Sequence, residues 1–277
     1  MSASARRERD PGKARRTPNR RRQTAVRGTL GIVVLLAVYE GFARSGMFST
    51  AITPPLETVG SAFLSSLAGG YIFVQAGATL LRVAIGMAFA LVIALPLGML
   101  MGRHRWAERA LAPLVSILMP IPSLAWVPLI VLWFGIGNTA TILVVVYAAS
   151  FPLLFNVWTG VRTVNQVWIR AAVVMGASRA CVFRQVVLPA ALPYVITGTR
   201  LAFGRAWIAV IGGELLASPE TGLGKVIFDA KEYLNADVML SALLVIGAIG
   251  LFFERMVFHR LERVTVERWG MTAQSRR

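Results

Sequence analysis

Apolar residues are gathered into six runs, at 29–43, 83–101, 111–136, 139–158, 194–217 and 238–253. A helix crosses the roughly 30 Å hydrocarbon core with about 20 mostly apolar residues, fewer where flanking side chains snorkel. The gaps between the runs leave no room for a separate soluble domain. The pattern predicts an all-α integral membrane protein with about six transmembrane helices. Between the first two runs, Pro54-Pro55 and Gly69-Gly70 bracket "LETVGSAFLSSL". Its apolar Leu56, Val59, Phe63 and Leu67 recur every three or four residues, which predicts an amphipathic helix lying along the outer interface.

Finer patterns lie inside the runs. Gly86, Ala90, Ala94, Gly98 and Gly102 place a small residue at every fourth position of the second. Such a stripe lets helix backbones approach closely in lipid, within this chain or against a second copy. Pro96 should bend that helix. Pro113, Pro120, Pro122 and Pro128 all fall in or beside the third run and cannot share one straight helix. Irregular backbone at membrane depth needs cover from protein or a water-filled path, and broken helices often line transport routes. A kinked, purely structural helix is the other reading of those prolines.

One segment, 161–193, is polar and helix-prone instead. Asn165 is placed to cap a helix whose Val167, Trp168, Ala171, Ala172 and Met175 share a stripe. Gly176 should stop it. Ser178 is placed to cap a second short helix, with Val182, Phe183, Val186 and Val187 on its apolar side and Pro189 at its end. The result is a helix–Gly–helix hairpin. It can rest on lipid headgroups or insert into a groove on a partner; periodicity does not choose.

Composition agrees with the membrane reading, at 56% hydrophobic and 15% charged residues and a mean hydropathy of +0.64. A net charge of +16 raises the question of nucleic acid, and the placement of the charge answers it. Ten Lys and Arg residues, from Arg6 to Arg27, precede the first run. Arg103, Arg105 and Arg109 follow the second, Arg162, Arg170, Arg179 and Arg184 follow the fourth, and Arg255 to Arg277 follow the sixth. The alternate loops hold only Arg44, Lys225 and Lys231. This is the positive-inside distribution, which places both termini in the cytoplasm and predicts attraction to lipid surfaces, not nucleic acid. Residues 1–27 read as a basic disordered tail, 28–260 as the transmembrane domain and 261–277 as a second cytoplasmic tail. No small-residue cleavage site follows the first run, so it reads as an uncleaved helix. Cys181 is the sole cysteine, and His104 and His259 lie far apart at membrane edges, so no metal site is expected.

The hairpin resembles the "EAA" loop of permease subunits in ABC importers: Glu-Ala-Ala, three residues, Gly, nine residues, then Ile-x-Leu-Pro. Ala171 and Ala172 match the alanines, Gly176 the glycine, Val186 the isoleucine, and Leu188 and Pro189 the close; Arg170 stands where the motif has glutamate. "TLLRVAIGMAFALVIALPLG", "PSLAWVPLIVLWFGIG", "LPAALPYVITGTRLAFGRAW" and "TGLGKVI" are similar to the aliphatic-sulfonate, taurine and nitrate branch of these permeases, from about Pro54 to Leu261. The resemblance implies a permease for a small solute, an anion such as a sulfonate, taurine or nitrate, in a bacterial plasma (inner) membrane. It implies two permease copies as a homodimer, two cytoplasmic ATPase subunits docked on the loops, and a periplasmic or lipid-anchored solute-binding protein. No GxxxxGK[ST] phosphate loop occurs in this chain, so ATP is expected on the partner subunit and no cofactor here. Arg170, Ala171, Ala172, Gly176, Val186, Leu188 and Pro189 are then the ATPase-coupling residues.

Charges within the runs supply path candidates. Arg205 lies eleven residues past Tyr194, about 16 Å into the fifth run. A charge at that depth costs several kcal/mol unless it is paired or faces water, so Arg205 either lines a path or pairs with a carboxylate or helix-end carbonyls. Glu214 is too far along the same helix to be its direct partner. Arg82 and Glu40 lie toward the outer ends of their runs. With the broken third run, the candidate path is Pro120, Pro122, Trp126, Arg205 and Glu214. A self-contained secondary transporter or channel is the alternative, but internal repeats and paired ion-coupling residues are missing from the sequence. A membrane enzyme would need a nucleophile–base or metal constellation that the residues do not offer.

Overall fold

The structure, a computed structural model, describes residues 18–217 and 219–262, which form helices joined by short turns. The chain divides into two compact units, residues 1–56 and 57–277. The first holds α1 (Pro18–Arg44), which begins inside the stretch expected to be tail and carries the apolar run 29–43. Pro18 suits a helix start, where its missing N–H is no loss. Leu30, Ile32, Leu35 and Val38 are exposed along α1, the pattern of a helix solvated by lipid. Beyond it the chain is tied back: the Tyr39 hydroxyl donates to the Pro54 carbonyl at 2.9 Å, while Glu40 accepts from the Leu56 amide at 2.9 Å and pairs with Arg44. The rest of the basic tail, 1–17, and the stretch from 263 onward lie outside the described residues.

The second unit contains the body of α2 (Leu56–Ala68), then α3 (Tyr71–Arg103), α4 (Arg105–Leu118), a 3-10 turn at Ser123–Trp126 and α5 (Val127–Phe134). These are followed by α6 (Asn138–Arg162), α7 (Gln166–Val174), α8 (Arg179–Val182), α9 (Leu188–Ala217), α10 (Leu223–Glu232), α11 (Ala236–Phe252) and α12 (His259–Glu262). π-helical turns at Phe183–Val187 and Phe253–Phe258 join α8 to α9 and α11 to α12. Among the described residues, α3, α6, the α8–α9 run and the α11–α12 run are long and apolar enough to cross a bilayer. The expectation of about six spans counts α1 and the third run as one crossing each. That third run is broken, because α4 and the segment from Ser123 to Phe134 meet at 87°.

The prolines account for the break. Pro113 stays inside α4, while Pro120 and Pro122 interrupt the ladder and Pro128 sits in the first turn of α5, where a missing N–H does no harm. The carbonyl of Leu118, which a residue-122 amide would otherwise satisfy, accepts from the Ile121 amide at 3.1 Å and from the Tyr147 hydroxyl at 2.6 Å. Protein donors thus cover this freed carbonyl, as the membrane interior demands.

α3, α6 and α9 pack together at the centre of this unit. The small-residue stripe of α3 is used inside the chain: a Cβ added at Gly86 would lie 2.8 Å from Val145 Cβ, at Gly98 2.8 Å from Val157 Cβ, and at Gly102 2.5 Å from Val161 Cβ. Ala90 and Ala94 between them are fully buried. α6 is held as closely on its other side, where Gly160 abuts Tyr194 and Gly198 abuts Asn156. α2 turns Val59, Phe63 and Leu67 inward and exposes Glu57, Ser61 and Leu64. The Ser241 hydroxyl of α11 donates to the Val59 carbonyl at 3.1 Å.

Candidate translocation path and coupling hairpin

Hydrogen bonds that its sequence encodes build the hairpin. Asn165 Oδ1 accepts from the Val167 amide at 2.9 Å, capping α7. At its other end Gly176 takes φ +82°, the amide of Ala177 donates to the Ala172 carbonyl and that of Gly176 to the Val173 carbonyl, both at 3.0 Å. This is a Schellman stop, which favours glycine at the left-handed position. Ser178 Oγ then accepts from the Cys181 amide at 3.3 Å and caps α8.

Pro189 does not end the second helix as expected. The Leu188 amide bonds to the Phe183 carbonyl five residues back, widening the turn so that the proline ring passes without its usual clash. The second arm therefore runs without interruption into α9 and reaches Ala217.

The predicted stripe on α7 is divided. Ala172 is buried with Val161, Val164, Val182, Val187 and Ala191, forming the hairpin's own core. Val167, Trp168, Ala171, Val174 and Met175 are exposed, Val174 by 87% and Met175 by 80%. Arg170 is exposed as well, and Val186, Leu188 and Pro189 are half-buried at the root. Ala171, rather than Ala172, is the alanine presented outward.

Arg205 is exposed on α9 and faces a cleft of about 200 Å³ bounded by Pro120, Pro122, Ser123, Tyr147 and Phe151. The break in the third run forms one wall. Trp126 stands behind it against Tyr147, with ring centroids 5.4 Å apart, and among the described residues its indole N–H has no partner. Pro120, Pro122 and Arg205 therefore share one cleft, and Trp126 supports its wall. Among the described residues Arg205 has no carboxylate partner.

Glu214 is not part of that cleft. It is fully buried and receives Arg82 Nη1 at 2.5 Å, the Thr79 hydroxyl at 2.9 Å and the Gly224 amide at 2.8 Å. Arg82 also donates to Asn138 Oδ1 at 2.7 Å and to Thr221 Oγ1 at 3.2 Å. Gln75 accepts from the Gly222 amide at 2.6 Å, and Thr79 from the Leu223 amide at 2.8 Å. The segment 221–224 is thereby clamped to α3 and α9. Gly222, at φ +135°, has no room for a side chain, since an added Cβ would fall 2.5 Å from Glu214 Oε1. Glu214 thus stands apart from the Arg205 cleft, its charge met by Arg82 from another helix. A signal for this was present in the sequence, because Gln75, Thr79 and Arg82 share one face of an otherwise apolar helix.

A multi-pass helical chain with a broken span beside a cleft, and a polar hairpin continuous with the next span, fits the membrane subunit of a transporter. The family model described as binding-protein-dependent transport system inner membrane component matches residues 94–265. The taurine transport system permease protein TauC of Escherichia coli (strain K12) is 37% identical over 245 residues, covering 86% of this chain and 88% of that protein. The bicarbonate transport system permease protein CmpB of Synechococcus elongatus (strain ATCC 33912 / PCC 7942 / FACHB-805) is 36% identical over 239 residues, covering 82% and 84%. In fold, the chain is similar to a subunit of the MetNI methionine ABC transporter in an inward-facing conformation, with TM-score 0.59 at 23% identity over 70% of this chain and 96% of that one. The chain belongs to the binding-protein-dependent family of ABC importer permeases. It is accordingly a multi-pass inner-membrane subunit that works with ATPase subunits and a solute-binding protein.

Proposed function

We propose that this permease passes a small solute bearing an oxyanion group, such as a sulfonate, taurine, nitrate or bicarbonate, along a path that includes Arg205. The exposed guanidinium in the middle of α9 carries the reading. A cation at that depth without a carboxylate partner needs water around it, and the adjoining cleft offers Ser123, Tyr147 and the irregular backbone at Pro120 and Pro122 to a polar solute. The relatives support the substrate class, since taurine carries a sulfonate and bicarbonate is a small oxyanion. Selectivity among these anions belongs to the binding protein.

The hairpin is the coupling element in this reading. Its exposed face of Val167, Trp168, Ala171, Val174 and Met175 docks on a cytoplasmic ATPase, two of which bind and hydrolyse ATP beneath a permease homodimer. Arg170 faces an acidic group there in place of the motif glutamate's partner. Gly176, Val186, Leu188 and Pro189 keep the hairpin's shape and its join to α9. Both chain ends lie in the cytoplasm, and this subunit holds no nucleotide of its own.

The test is uptake into vesicles containing the complete transporter with ATP and binding protein. Arg205→Lys should retain part of the uptake and Arg205→Leu should lose most of it, at equal ATPase association. Unchanged uptake in both variants would remove Arg205 from the path.

A further inference from the structure

A second cleft, of about 310 Å³, opens where α3 and α6 end against the hairpin. Arg103, Arg162 and Arg179 stand around it with Gln166, over an apolar floor that includes Val182 and Val187. Arg162 is already paired with Glu108. Arg103 lies over the Phe183 ring at 5.0 Å from its centroid, an arrangement that fixes the guanidinium without neutralising it. Arg179 is exposed and has no side-chain partner among the described residues. One acid against three arginines leaves the cleft two positive charges in excess.

The position of the cleft narrows what fills it. At about 100° per residue, Gln166, Ile169 and Val173, which line it, lie on the side of α7 opposite Trp168, Ala171 and Met175. A protein docked on the latter face leaves the cleft open. Its level is that of the arginine-bearing ends of two spans, where lipid headgroups lie. Basic pockets between transmembrane helices at this depth suit phosphate headgroups, and the apolar floor suits the glycerol and first methylenes of a lipid. We propose that Arg103 and Arg179 form a binding site for the phosphate of an anionic phospholipid, which wedges between the spans and the hairpin and holds the hairpin's angle.

The complete transporter, purified in detergent and titrated with phosphatidylglycerol, tests this by native mass spectrometry. Arg103→Gln with Arg179→Gln should weaken phosphatidylglycerol binding about tenfold or more, because each removes a charge-assisted hydrogen bond to the phosphate. Arg105→Gln with Arg109→Gln removes the same charge from the same membrane edge outside the cleft and should change binding less than about threefold. Equal loss in both pairs would overturn the site, leaving only diffuse attraction to the surface. Displacement of the lipid by millimolar inorganic phosphate would overturn the lipid source in favour of free phosphate. Weaker ATPase association with unchanged lipid binding would overturn it in favour of a protein contact. Should the cleft variants fail to assemble, a photoactivatable phosphatidylglycerol on the unaltered transporter gives the answer instead. Its adducts are expected within 102–103 and 166–187, and adducts elsewhere alone would refute the proposal.

Discussion

Removing Arg82 while leaving Glu214 should destabilise the permease more than almost any other single change. Arg82→Met deletes the cation 2.5 Å from a fully buried carboxylate. What remains for Glu214 is the Thr79 hydroxyl and the Gly224 amide, two neutral donors for a full charge. Breaking a buried pair from one side costs about 3–5 kcal/mol, equivalent to a fall of roughly 6–20 °C in midpoint for a chain of this size. Glu214→Gln strands Arg82 instead and should cost a similar amount, because Asn138 and Thr221 supply only neutral acceptors. The double variant Arg82→Met/Glu214→Gln removes both charges and keeps a carbonyl for Gly224 or Thr79. Its loss should fall short of the sum of the single losses by about 1–3 kcal/mol. The measurement is the thermal midpoint of the detergent-solubilised permease, read as retention of the monodisperse species after heating. A shift under about 2 °C for Arg82→Met, or additivity within about 0.5 kcal/mol, would refute the reasoning.

The glycines of α3 should separate by their surroundings. Gly98→Ala, which would set a Cβ 2.9 Å from the Leu154 carbonyl oxygen, should lower the same midpoint by the equivalent of about 1–3 kcal/mol, whereas Gly77→Ala, with open space around it, should raise it by about 0.5–1 kcal/mol. On the hairpin, Ala171→Trp should leave permease stability unchanged and abolish ATPase copurification, while Ala172→Trp should destabilise the permease itself by overpacking its core; the reverse order would show that the faces are wrongly assigned. Orientation is checked in a Cys181→Ser background. Cysteines at Ser61 and Glu220 should react with an impermeant thiol reagent added to intact spheroplasts and one at Ser178 should not, and labelling of Ser178 alone would reverse the topology.

How far the sequence reaches is visible in particular residues. The hairpin's caps were legible because they are local: Asn165, Gly176 and Ser178 each satisfy backbone groups within a few positions. The end of its second arm was misjudged because proline usually stops a helix, and a π turn that lets the ring pass leaves no composition signal. Arg205 was found by its depth in an apolar run. Its neighbours Tyr147 and Phe151 were not, because they come from another helix and look like ordinary aromatic filling.

The sequence by itself determined what depends on period, length and local chemistry. Apolar runs of bilayer length require helices because lipid leaves backbone groups no other partner, and the segregation of arginine raises an expectation of which loops stay behind. The tertiary structure alone decided which helices meet. The stripe from Gly86 to Gly102 could serve α6 or a second copy until Val145, Val157 and Val161 were found against it. The partner of Glu214 could not be named until Arg82 arrived from a helix 132 positions away in the chain. An apolar face seeks any apolar surface of matching shape, and a buried charge any opposite charge within reach. Periodicity names the face and burial names the need, but the partner is fixed only when all the helices are packed at once.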